Sequence, residues 1–135
     1  MKKNFILLLF FILISVFFKI PKYVELNNLA IIEGIGINYN HNYYTLYLKE
    51  VIPTKDNLGI SYKYKYYKED GKTIRKALNK LEQTTKKKLY LNKVKFLITN
   101  KKTSSKIITD LKLNIKYIYH TKNNIYKKLK QTNLH

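Results

Sequence analysis

Cysteine is absent from this 135-residue chain, and that single absence excludes disulfides, thiolate zinc sites, a cysteine nucleophile and a thioether lipid anchor. Acids are scarce, 8 in all, and dispersed; only Glu69 and Asp70 adjoin, where a solvated turn is the ordinary role. General acid–base chemistry needs a placed pair of groups with displaced pKa values, and no such pair is visible. The histidines, His41, His120 and His135, stand far apart, and none has another histidine or an acid at metal-ligand spacing. Serines are few and lack the pattern of a nucleophile elbow. Gly34-Ile35-Gly36 has the start of a dinucleotide-binding loop, but the third glycine is missing and the pair lies inside a strand pattern. Those glycines instead predict a bulge or the close approach of a neighbouring element. No catalytic, cofactor-binding or metal-binding residue is therefore expected, and the expected role is not enzymatic.

Arginine is nearly absent too: Arg75 is the only one among 27 basic residues. Nucleic-acid sites favour the bidentate guanidinium fork, so a chain whose cations are nearly all lysine is a poor candidate for that partner. The basic residues nevertheless outnumber the acids to give a formal net charge of +19, which attracts polyanions such as anionic lipid or wall polymer. Lysine, asparagine, isoleucine and tyrosine are all abundant, and A/T-rich codons alone would produce that bias without selection for a partner. The hydrophobic fraction, 45%, is that of a chain that folds, and the length allows one domain.

The N-terminus is different in kind. Lys2 and Lys3 precede an apolar run from Phe5 to Phe18, broken only by Ser15 and ended by Lys19, Pro21 and Lys22. As a helix the run is roughly 21 Å long, short of a hydrocarbon core of about 30 Å but close to a span when Asn4 to Ile20 are counted and Lys19 snorkels. Signal peptidase requires small residues before the cut, whereas Val16, Phe17 and Phe18 are bulky. Residues 1–22 are thus read as a retained signal-anchor, a single apolar membrane helix. The basic start holds that end inside and puts residues 23–135 outside the cytoplasm.

From Leu29 the hydrophobic period becomes two. Leu29 to Asn38 reads as a strand, Asn38 to Asn42 as a polar turn, and Tyr43 to Ile52 as the returning strand, with Tyr44, Leu46 and Leu48 alternating with Thr45, Tyr47 and Lys49. Pro53 to Gly59 reads as a loop. In Ile60 to Lys68 the alternation puts Tyr62, Tyr64 and Tyr66 on one face, packed on helices, and Ser61, Lys63 and Lys65 on the other, facing solvent. That separation argues against a joint base-stacking platform. Glu69-Asp70-Gly71 signals a turn. Thr73 then caps a helix in which Ile74, Ala77, Leu78 and Leu81 recur at i, i+3, i+4 and i+7. Leu89 to Thr99 reads as one strand, Thr103 to Lys112 as a helix, Asn114 to Tyr119 as a strand and Thr121 to Gln131 as a weak helix. The expected fold is α+β, a mixed sheet with helices packed on it in the order β-β-β-α-β-α-β-α.

With those segments placed, the run from Glu25 to Asn38 (ELNNLAIIEGIGIN) resembles the opening of the C subunit of bacterial spore germinant receptors, the Ger(x)C family, which begins E-I-N-D-L-A-x-V-x-x-x-G-I-D. Gly71-Lys72-Thr73-Ile74 opening a helix is similar as well. Lys87-Lys88-Leu89-Tyr90 and Lys93 to Ile98 resemble the family's R-L-Y-x-x-H-x-K-hydrophobic stretch, with Lys93 in the place of its His. The likeness covers the family's N-terminal domain, and the lipobox Cys of its members is replaced near Ile20. The resemblance implies a non-enzymatic component of a germinant (nutrient) receptor complex, working with integral-membrane A- and B-type subunits at the spore inner membrane. The alternative is a membrane-tethered cationic protein that holds anionic lipid, wall polymer or nucleic acid through its lysines.

Overall fold

The computed structural model describes residues 26–57, 59–100, 104–122 and 124–132. The expected membrane segment, residues 1–22, lies outside them. Among the described residues no helix is long and apolar enough to cross a membrane.

A 3-10 turn at Leu26–Asn28 leads into β1 (Leu29–Asn40), which returns as β2 (Tyr43–Asp56) and again as β3 (Gly59–Gly71). His41 and Asn42 form the first turn with φ of 44° and 64°. Positive φ at both central residues matches the right-handed twist of a hairpin, and asparagine tolerates it well. The segment expected as a loop, Pro53 to Gly59, is instead mostly strand, because Pro53, Thr54, Lys55 and Asp56 pair with Tyr62, Ser61, Ile60 and Gly59. Past Glu50, β2 no longer pairs with β1, so a residue that cannot donate is tolerated at Pro53. Glu69, Asp70 and Gly71 likewise continue β3, opposite Leu46, Thr45 and Tyr44, rather than turning.

The chain reverses abruptly after Gly71, where a Cβ would lie 2.7 Å from the amide nitrogen of Ala77. Thr73 then caps α1 (Ile74–Thr85) by accepting a 3.2 Å hydrogen bond from the Lys76 amide. The strand expected over Leu89 to Thr99 is two strands, β4 (Lys88–Tyr90) and β5 (Phe96–Thr99), separated by a 3-10 turn at Leu91–Lys93. Both run parallel to β1, β4 on Leu29–Ile31 and β5 on Gly34–Ile37. The chain from Leu91 to Lys95 therefore has to match only Ile32 and Glu33 of β1, and the surplus residues are taken up in the turn. The observed order is β-β-β-α-β-β-α-β-α, completed by α2 (Ser104–Leu111), β6 (Tyr117–His120) and α3 (Ile125–Gln131). The last helix starts later than Thr121 because Asn124 is its cap, accepting from the Lys127 amide at 3.1 Å.

The mixed sheet runs β3-β2-β1-β5-β6, with β4 beside the start of β1. One face packs Ala30, Ile32, Ile35, Ile37, Leu46, Leu48 and Leu97 against Ala77 and Leu81 of α1 and Ile107 of α2. The other packs Phe96 and Ile98 against Ile125 and Leu129 of α3. Fully burying each of those leucines or isoleucines contributes about 1.5–3 kcal/mol. Central β1 is covered on both faces, which is why its run is apolar almost without interruption.

Candidate functional site

The glycines of β1 determine what the second face can hold. Gly34 lies directly beneath the Phe96 ring, and a Cβ at Gly36 would come 2.6 Å from Cγ2 of Ile125. A register shift between Ile32 and Gly34 adds a bulge. Both readings of the Gly34-Ile35-Gly36 segment, bulge and close approach, are therefore correct, and α3 sits close to the sheet as a result.

That closeness buries a charge. Lys49 alternates with the apolar residues of β2 and so stands on the opposite face from Leu46 and Leu48, yet it is fully buried, because α3 covers that face as well. Its Nζ donates to the Thr132 carbonyl at 2.7 Å, lies 3.7 Å from Oε2 of Glu33 and rests 4.2 Å from the centre of the Tyr64 ring. Glu33 is buried too, and its other oxygen accepts a 2.9 Å hydrogen bond from half-exposed Lys95. Burial pushes the Lys49 ammonium below the ordinary lysine range, and the charge of Glu33 opposes that shift. Burial also raises the Tyr64 and Tyr66 phenols.

A second buried carboxylate lies on the opposite face. Glu50 accepts from the Tyr67 hydroxyl at 2.5 Å and from Lys87 Nζ at 2.7 Å. Burial, followed by the bond to Glu50, drives the Tyr67 phenol far above its usual value. In both networks each carboxylate is matched to a lysine on another strand or loop, so the charges fix the pairing of β1, β2 and the α1–β4 connection. The signal for them was present in the sequence: an acid inside the apolar run at Glu33 and an adjacent Lys49-Glu50 in a strand.

Of the residues weighed beforehand, His41 occupies the β1–β2 turn and His120 ends β6, both exposed and at separate positions; His135 lies outside the described residues. Among the described residues no three His, Asp or Glu side chains form a group that could hold a metal. An open cleft of about 580 Å³ lies between the first turn of α1 and the end of α2. Its charged lining, Lys72, Arg75 and Asp110, is solvated.

The tyrosines of β3 divide. Tyr66 packs edge-on to Tyr126 of α3, with ring centres 6.1 Å apart, and Tyr64 covers Lys49. Tyr62, expected to pack on a helix, is 59% exposed, because the hairpin has run past the end of α3. Ile60 beside it is 71% exposed. Lys63 and Lys65 do face solvent on the opposite side of the strand, as the alternation predicted. The molecule thus has two polar networks that hold strands together and a projecting apolar hairpin tip.

No curated protein and no solved structure matches the chain. The family model described as the spore germination protein N-terminal domain matches residues 22–126. That match takes in β1 to β6 and all of α1 and α2, and it agrees with the resemblance seen from Glu25 onward, so the chain belongs to the spore germination protein N-terminal domain family.

Proposed function

We propose that this chain is a non-enzymatic component of a spore germinant receptor, held at the membrane by residues 1–22 and acting through protein–protein contacts of an extracytoplasmic domain, residues 23–135. The family match over residues 22–126 is the observation on which the proposal rests. The architecture supports it: the buried ionisable groups are matched to one another across strands, the arrangement of a rigid scaffold that presents a surface. Confinement to a membrane raises the effective concentration of the domain near integral-membrane receptor subunits, so a modest interface is enough for assembly. The spore inner membrane is the proposed location.

Deleting the gene in its spore-forming host tests the proposal. Nutrient-triggered germination should fall, and restoring the gene should rescue it; unchanged nutrient germination in the deletion strain would overturn it. The second reading, a tethered cationic protein holding anionic lipid, polymer or nucleic acid, draws on the net charge of +19 alone.

A further inference from the structure

The end of the sheet at which the chain enters the domain also carries its most exposed apolar residues. The last pairing between β1 and β2 joins Ile32 to Glu50. From there β1 extends back only to Leu29, about 10 Å, whereas β2 continues to Asp56, about 20 Å at 3.3 Å per residue. The β2–β3 hairpin therefore projects roughly 10 Å beyond the start of β1, at the end of the sheet where β1 begins. The linker from Lys19 to Glu25, between the apolar run and the first described turn, spans at most about 25 Å. A membrane holding residues 5–18 is consequently within reach of the hairpin tip.

The chemistry of the tip suits that neighbour. Cross-strand pairing places Ile60 opposite Lys55 and Tyr62 opposite Pro53, all on one face. Ile60 and Tyr62 are 71% and 59% exposed, on a two-stranded ribbon that no helix among the described residues covers. Lys63 and Lys65, both exposed, occupy the other face. Between Pro53 and Lys65, Asp56 is the sole acid against three lysines. Lys86 and Lys88, also exposed, lie at the same end, since Lys88 pairs with Leu29. A ribbon tip with Ile60, Tyr62 and Lys55 on one face and Lys63 on the other fits the interfacial zone of an anionic bilayer when it enters end-on: the phenol stays wet, the ring is buried and the ammoniums of both faces meet phosphates.

We propose that the β2–β3 hairpin tip, through Ile60 and Tyr62 with Lys55 and Lys63, docks on anionic lipid headgroups as a second membrane contact beside the N-terminal anchor. Two contacts at one end fix the orientation of the domain, with the sheet standing away from the bilayer and the His41–Asn42 turn about 45 Å from the tip. The inference rests on the reading of residues 1–22 as a membrane anchor, and the experiment separates the two.

The chain has no cysteine, so one introduced cysteine gives a unique label. The full chain carrying Ile60→Cys, Tyr62→Cys or His41→Cys would be labelled with an environment-sensitive fluorophore and reconstituted into phosphatidylglycerol–phosphatidylcholine vesicles. The vesicles would carry shallow nitroxide-labelled lipid as quencher. All three substituted positions are exposed, so folding should survive. The expected result is co-flotation of all three proteins with the vesicles, blue-shifted and strongly quenched emission at positions 60 and 62, and water-like, unquenched emission at position 41. Co-flotation with water-like emission at positions 60 and 62 would overturn the tip contact and leave the anchor standing. Shielding at those positions only after integral-membrane receptor subunits are added would overturn it in favour of a protein contact. Failure to float would overturn the anchor and the tip contact with it.

Discussion

Nζ of Lys49 lies 3.7 Å from Oε2 of Glu33, and neither side chain is more than 7% exposed. The pair is held between the sheet and α3, so removing the Glu33 charge leaves the Lys49 ammonium in a water-poor site with the Thr132 carbonyl and the Tyr64 ring but without the opposite charge that offsets its burial. Glu33→Gln should destabilise the fold by about 3–5 kcal/mol. Lys49→Met, which replaces the ammonium with an apolar chain of similar length, should restore much of that loss when combined with Glu33→Gln, because a buried ion pair is often no better than a well-packed apolar one. Lys95, at 51% exposure, should matter far less, and Lys95→Ala should cost about 1 kcal/mol or less. Urea denaturation of the four variants measures these differences as a double-mutant cycle.

Gly34 and Phe96 make a second test, this one of shape. A Cβ on Gly34 would overlap the buried Phe96 ring, reaching 2.6 Å from its Cε2. Gly34→Ala should therefore cost about 1–3 kcal/mol through overpacking, although alanine suits a strand better than glycine does. Phe96→Leu trims the ring and should suppress part of that cost in the double variant. Thermal melts monitored by circular dichroism distinguish this from simple additivity, which would be the outcome if the two residues did not touch.

Alkaline pH should weaken the fold through its tyrosines. Burial and the bond to Glu50 raise the Tyr67 phenol above its ordinary value of 10, and burial does the same for Tyr64 and Tyr66. Above pH 10 the unfolded chain then loses phenolic protons that the folded chain retains, so the stability these groups supply is complete below pH 10 and declines as pH rises beyond it. Lys49 acts in the opposite sense: its lowered value means that the unfolded chain binds the extra proton, and stability rises with pH from the lowered value up to 10.5. Urea midpoints should therefore fall between pH 10 and pH 11, and the fall should be smaller in Tyr67→Phe.

How much of this was legible in the sequence depended on whether a feature was local. The period-two segments, Thr73 as a helix cap and the stripe from Ile74 to Leu81 were readable because each depends on neighbours within one element. The burial of Lys49 was not, since it depends on α3, far along the chain, crossing the face on which Lys49 stands. The break between Tyr90 and Phe96 was hidden for a similar reason. Val94, Phe96 and Ile98 alternate as a strand requires, and only the pairing of both halves with β1 exposes the surplus residues that must turn. Pro53 to Gly59 misled because proline and glycine usually end strands, whereas here the hairpin is a free ribbon where neither breaks a ladder on both sides. The two buried ion networks left only a partial trace, an acid in the apolar run at Glu33 and charges at Lys49 and Glu50 inside a strand, which marks their members but not their partners; the exposed tip left none.

Salt separates the two functional readings. Charges exposed to solvent lose their influence as the screening length shrinks from about 10 Å at 0.1 M to about 3 Å at 1 M salt, whereas an interface closed by packed side chains is screened far less. A tagged full-length chain solubilised from spore membranes in detergent should therefore keep its integral-membrane receptor subunits at 1 M salt if it is a receptor component. A cationic tether would release its anionic partner steeply over the same interval. Recovery of the same subunits by pull-down at 0.1 M and 1 M salt, followed by mass spectrometry, is the expected outcome. Loss of every partner at the higher salt would move the function from receptor assembly to polyanion binding by the lysine-rich surface.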